Sequence, residues 1–301
     1  MGSLRSPFTL VLIVLVCSFA SLQVRGQGAN QRPEEKARPL TIVDLSTDEL
    51  RRRFPAELGR LEFADDPQEL GVLLRKTGEN VDAFFRNVQN TASKEEILAQ
   101  RLKLTGKVEA SSHSSYSYLL LARPARTGML FEEDRADRKN RPVKFSKLVD
   151  YVVTSGFASQ CLFLHPSHQY GSRFRYLGKL PSAQVIAFAQ KPEAGDFLIF
   201  ISGTQPTPVL VQGLVWIDPI TYQIVQMRTD LLEPDIRNGV ARQTTESWFS
   251  EVRFDGVSQA FWLPRQVVVT IEYGQKIFRN EHRYSGYKLF SVTSFDKIVK
   301  P

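Results

Sequence analysis

Apolar residues along this chain follow two rhythms. Between Asp66 and Gln89 they recur at intervals of three and four: Leu70, Leu73, Leu74, Thr77, Val81, Phe84, Phe85 and Val88. That spacing puts them on one stripe of an amphipathic helix. Asp66 is a good N-cap, Pro67 suits the first helical position, and Glu69 follows three residues after the cap. Gly71 and Gly78 each weaken the helix by about 1 kcal/mol relative to Ala. Ser46 and Glu49 have capping-box spacing, which predicts a shorter helix through Leu50 that stops before Pro55.

From Ile97 the period changes to two. Leu98, Leu102, Leu104 and Val108 alternate with polar positions and predict a first strand. Residues 114–122 and 128–133 predict two more. Residues 111–115 form a turn-like polar cluster, 134–142 a mixed charge run expected to be a loop, and 145–154 a short helix. Beyond Gly156 nearly everything reads as strand: residues 173–178, 183–190, 197–202, 243–254, a segment after Pro264, and 277–290. The clearest signal spans residues 209–232. Val209, Val211, Val215 and Ile217 share a parity before Asp218-Pro219, and Val225, Met227, Thr229 and Leu231 share one after it. Gln226, Arg228 and Asp230 lie on the other side. The pattern predicts an antiparallel hairpin with one face for a core and one for water. A lone hairpin is marginal in water, so this one belongs to a larger sheet.

The N-terminus changes the picture of where this domain works. Arg5, the apolar run 8–20 and the small residues after it have the three parts of a secretory signal peptide. The run is shorter than the ~18–20 residues that cross a bilayer. Cleavage after Ala20 or Gly26 is open, with Gly26 preferred. An uncleaved segment would instead be an N-terminal membrane anchor. Val16 precedes Cys17 where a lipoprotein signal wants a small residue, which speaks against lipidation there. The resulting division is 1–26 signal peptide, 27–45 flexible leader, 46–92 helical segment and 93–301 antiparallel β domain packed on the helix.

Charge excludes one class of partner. The formal net charge is +7. The basic residues are spread among acids rather than clustered, so no nucleic acid is expected as a partner. Contact with a membrane surface stays open.

Candidate chemistry is sparse. Cys161, His165 and His168 are zinc-compatible types, but no fourth ligand is evident and Pro166 breaks any helix that would align the histidines. The expected arrangement is a buried thiol beside two polar histidines in a loop, with no metal. Glu132, Glu133, Asp134 and Asp137 lack the alternate spacing and central Gly of a calcium loop. No G-x-S-x-G, Walker loop or H-E-x-x-H is present. Neither an enzyme nor a cofactor is expected.

The segment Gly213-Leu-Val-Trp216-Ile-Asp218, with Thr221 and Ile224-Val225, resembles a sheet hairpin of the LolA-like superfamily of bacterial envelope proteins. Trp262-Leu263-Pro264 with residues 267–271, and the helix end at 85–90 followed by Glu95-Glu96, add to the likeness. It covers roughly residues 67–290. One departure is Tyr222, which stands where related hairpins often place Gly. The resemblance implies an α+β, β-rich fold: a curved antiparallel sheet, an open half-barrel, covered by one or more amphipathic helices. It also implies a periplasmic or secreted, non-catalytic binding protein carrying a lipid, lipoprotein or other apolar ligand. The alternative is an envelope sensor or interaction module that holds a protein partner on the same sheet. Trp216, Trp248, Trp262 and Met227 are the candidates to line a cavity, against ordinary core packing. Arg173 and Arg175, one strand repeat apart, are candidates to meet an anionic headgroup, against a solvated strand face.

Overall fold

A computed structural model describes residues 40–87, 90–125, 128–139, 141–143, 160–192, 198–202, 205–235, 239–258 and 260–290. The signal segment, most of the leader and the helix expected at 145–154 lie outside these residues.

The caps read from sequence are present. Ser46 accepts from the Glu49 amide, and the Glu49 carboxylate accepts from the Ser46 amide at 2.8 Å. They open α1 (Thr47–Arg53), and Pro55 opens the single turn of α2 (Pro55–Leu58). Asp66 Oδ1 accepts from the amides of Gln68 and Glu69, both at 3.0 Å, and starts α3 (Pro67–Asn87). These bonds satisfy amides that a helix start leaves orphaned.

Thirteen strands are described: β1 (Glu62–Phe63), β2 (Thr91–Lys103), β3 (Val108–Ala125), β4 (Gly128–Ala136), β5 (Ser172–Leu180), β6 (Ala183–Gln190), β7 (Leu198–Ser202), β8 (Gln205–Val209), β9 (Val211–Ile217), β10 (Ile224–Leu231), β11 (Val240–Val252), β12 (Phe261–Tyr273) and β13 (Lys276–Leu289). Eleven form one antiparallel sheet in the order β1-β5-β6-β9-β10-β11-β12-β13-β2-β3-β4, and β7 pairs with β8 separately. The end strands do not pair with each other, so the sheet is curved and open, with helices laid on it.

The central strands are covered on both faces. Ile186, Phe188, Val211, Val215 and Ile217 pack with Leu73, Val81 and Phe85 of α3. Val185, Ala187, Leu214 and Trp216 pack on the opposite face with Ile42, Leu45, Leu50, Phe54 and Leu58. Every residue of β6 and β9 is buried in consequence.

This corrects three sequence expectations. No face of the hairpin is left to water: Arg228 lies under α2, bonded to Glu57 at 2.6 Å and to Asp230 at 3.0 Å. Val225 does not share a face with Met227. A register shift between Ile224 and Gln226 puts Ile224 and Met227 under α3 and Val225 on the other side. A bulge of this kind moves each side chain beyond it to the opposite face. Thr41 to Leu45, assigned to the flexible leader, includes a short 3-10 helix and is docked on the core.

The β2–β4 region differs more. The buried parity of β2 is Thr91, Ser93, Glu95, Ile97 and Ala99, not Leu98 and Leu102. The polar cluster at 111–115 is strand, paired with residues 96–100. The turn comes earlier, at Gly106 with φ 83°. Asp134 to Ala136 of the charge run extend β4.

Candidate functional site

Where α3 crosses the sheet it leaves a cleft. Helix residues Thr77, Asn80, Val81 and Phe84 form one wall. Ile224 and Phe249, with Phe261, Trp262 and Pro264 at the start of β12, form the other, and Cys161 and Gln223 complete it. The cavity volume is about 40 Å³, against the roughly 10–15 Å³ that one water needs. No charged side chain lines it among the described residues. The surface is apolar, with a few uncharged polar groups, as small-molecule sites usually are.

The β9–β10 turn sets the near edge. Asp218 Oδ1 accepts from the Ile220 amide at 2.9 Å and the Thr221 amide at 2.7 Å. That turn brings the chain to Tyr222, the one non-glycine residue with positive φ, 58°, among the described residues. A left-handed Tyr is uncommon and strained. Helix α3 holds it there. Asn80 donates to the Thr221 carbonyl at 2.8 Å, and Lys76 Nζ sits 4.1 Å from the Tyr222 ring centroid. The departure from Gly seen in the sequence is thus met by a helix contact that a Gly would not make.

The loop before β5 contributes Cys161 to the cleft and grips α3 beside it. Gln169 Nε2 donates to the carbonyls of Leu74 and Leu164, both at 2.8 Å. Gly78 makes this possible: a Cβ there would stand 2.7 Å from Gln169 Nε2 and 3.1 Å from the Leu164 oxygen. His165 Nε2 is 3.3 Å from Asp82, while His165 Nδ1 and His168 Nδ1 meet the Ser167 hydroxyl at 2.7 and 2.8 Å. Burial pushes the Cys161 thiol up to about 12, so it is a neutral wall group at neutral pH.

The residues singled out from sequence do not converge. Trp262 lines the cleft, and Met227 lies in the core beneath α3. Trp216 packs under the N-terminal helices, and Trp248 shares its face, since both are in register with Gln226. Arg173 donates to Asp44 at 2.7 Å and 2.8 Å and to Thr41 Oγ1 at 2.7 Å. Arg175 donates to the Leu45 carbonyl at 2.6 Å. Both arginines therefore hold the N-terminal segment, on the face opposite α3.

A second constellation was missed from sequence. Glu95 on β2 is completely buried, with Arg135 and His282 almost so. Arg135 donates to it through Nε at 2.5 Å and one terminal nitrogen at 2.8 Å. His282 Nδ1 lies 2.9 Å away and the Tyr284 hydroxyl 3.0 Å. An ionised carboxylate only accepts, so Nδ1 carries the histidine proton. Burial raises the Glu95 carboxyl, but the Arg135 charge and the hydrogen bonds outweigh it and hold it at about 2. The geometry is that of a fixed ion pair. Its one sequence signal was a polar residue at each of Thr91, Ser93 and Glu95, which alternation reads as an outer face.

No family model matches the chain, and no curated protein matches it. Solved structures do. The chain is similar to a LolA superfamily protein. That protein, from Nitrosomonas europaea, is 11% identical, with 76% of this chain and 97% of that one covered and a TM-score of 0.34. A candidate outer membrane lipoprotein-sorting protein domain from Vibrio parahaemolyticus is 11% identical, covering 75% and 93%, with a TM-score of 0.36. A DUF1329 family protein from Desulfovibrio piger is 14% identical, covering 77% and 96%, with a TM-score of 0.37. No helix among the described residues is long and apolar enough to cross a membrane.

Proposed function

We propose that this protein is a non-catalytic, extracytoplasmic carrier that seats an apolar ligand in the cleft between α3 and the open sheet. The observation that supports this reading is the cleft's wall: Val81, Phe84, Ile224, Phe249, Phe261 and Trp262 meet with no charged group among the described residues. Burying an acyl chain yields about 0.8 kcal/mol per methylene, so binding needs no chemistry. A cavity of about 40 Å³ admits only the end of such a chain. Seating the rest requires Phe84, Phe249 and Trp262 to swing outward. A signal-peptide pattern before residue 27 fits a periplasmic or secreted site of action.

The test is mass spectrometry of lipids that copurify from the native host, with a saturable titration by an uncharged fluorescent dye such as Nile red. Bound lipid and a saturable signal quenched by Trp262→Ala are expected. A dye that never saturates, together with a specific protein partner in pull-downs and no lipid, would replace the carrier with an interaction module.

A further inference from the structure

Thr77 sits on α3 in the cleft wall, with none of its surface exposed. Its hydroxyl has no hydrogen-bond partner. A threonine inside a helix ordinarily turns its hydroxyl back to the carbonyl a turn before it. This one does not, and a buried hydroxyl without a partner is costly to keep. Its surroundings offer hydrophobic side chains, a neutral thiol and the amides of Asn80 and Gln223 toward the edge.

We propose that Thr77 is the polar anchor of the cleft, donating a hydrogen bond to the neutral carbonyl of an ester- or amide-linked acyl group. This rests on the carrier reading above and names its ligand class. Two features select a neutral acceptor. The hydroxyl is a fully buried polar group with a proton to give and no acceptor of its own. The cleft also lacks any lysine or arginine among the described residues, so a carboxylate there would lose its hydration with no cation in exchange. Lys76, the nearest helix cation in sequence, is held over the Tyr222 ring. Free fatty acids are therefore rejected in favour of chains whose carboxyl is already esterified or amidated.

The experiment is displacement of Nile red by four ligands of one chain length: dodecane, methyl laurate, lauramide and laurate. It uses the wild type, Thr77→Val, which keeps the shape, and Thr77→Ser, which keeps the hydroxyl. In the wild type, methyl laurate and lauramide should bind roughly threefold to tenfold tighter than dodecane, the worth of one neutral hydrogen bond, and laurate should bind weakest of the polar three. Thr77→Val should erase that margin without weakening dodecane, and Thr77→Ser should restore it. Equal melting temperatures confirm that the variants fold. A margin that survives in Thr77→Val, or laurate as the tightest ligand, overturns the anchor while leaving the carrier intact. Failure of the dye and of every ligand to bind wild-type protein overturns both.

Discussion

Glu95 offers the sharpest test of how the β2–β4 half of the sheet is held. The perturbation is Glu95→Gln, which keeps the shape and removes the charge. It leaves the Arg135 guanidinium buried without its counter-charge, and the single amide oxygen can keep only one of the 2.5 Å and 2.8 Å bonds. Removing one partner of a buried ion pair typically costs about 3–5 kcal/mol. The carboxyl's own titration gives an independent magnitude. Its pKa falls from 4.5 to about 2 on folding, worth on the order of 3 kcal/mol. A depressed carboxylate contributes stability above its unfolded pKa. That contribution should be whole above about pH 5 and disappear as pH falls from there toward 2. Urea unfolding at pH 7, 5, 4 and 3 measures both variants. The gap between wild type and Glu95→Gln should be widest at pH 7 and should close on acidification, because a protonated Glu95 resembles Gln. The double variant Glu95→Gln/Arg135→Met should be more stable than Glu95→Gln alone, since it removes the stranded cation. A gap under 1 kcal/mol at pH 7, or one that ignores pH, would refute the account of this network.

Other perturbations separate local causes. Gly71→Ala should stabilise by about 0.5–1 kcal/mol, because a Cβ there meets nothing within 4 Å; an unchanged urea midpoint would count against it. Gly78→Ala lies on the same helix, yet should destabilise by about 1–3 kcal/mol, since its Cβ crowds the Leu164 carbonyl oxygen and pushes the Gln169 amide off the two carbonyls it bonds. Arg173→Ala should free the 3-10 helix at Ile42–Asp44 and speed tryptic cleavage at Arg51, Arg52 and Arg53, with a loss of about 1 kcal/mol. Digestion at the wild-type rate would show that the apolar contacts of Ile42 and Leu45 hold the segment alone. The Asp44 carboxyl, held well below the usual carboxylate range first by its bond from Arg173, makes this docking weaken in strong acid.

The elements most legible in the sequence are those fixed by local chemistry. Asp66, Pro67 and a stripe of about five turns place α3, and a short apolar run bounded by turns gives β6 as residues 183–190. What stayed hidden depends on partners far along the chain. Arg135 looked like part of a solvated run because its acceptor, Glu95, lies 40 residues away. The outer parity of β2 looked apolar because Leu98 and Leu102 stand there, while the buried face spends its positions on a charge network. The Val209 hairpin read as half-wet because helices on both faces cannot be inferred from one strand's alternation. Of the cleft, the sequence supplied Trp262 but could not set it beside Thr77. That meeting depends on how a helix crosses a sheet.

The crossing also explains why a cleft exists here at all. A helix laid on a curved sheet stays in contact with it over only part of its length. Leu73, Val81 and Phe85 use that length over β5, β6 and β9. On the flank of that same stretch, Phe84 packs both on this cluster and on a second, smaller one of Phe254, Phe261 and Leu263. The wedge between the two clusters cannot be filled by shortening the helix, because Asn80 and Lys76 are needed to hold the strained turn at Tyr222. It cannot be filled from the loop either, because Gln169 already grips the helix at Gly78. The two contacts that fix α3 thus keep an apolar wedge open between them, with the Thr77 hydroxyl on its wall.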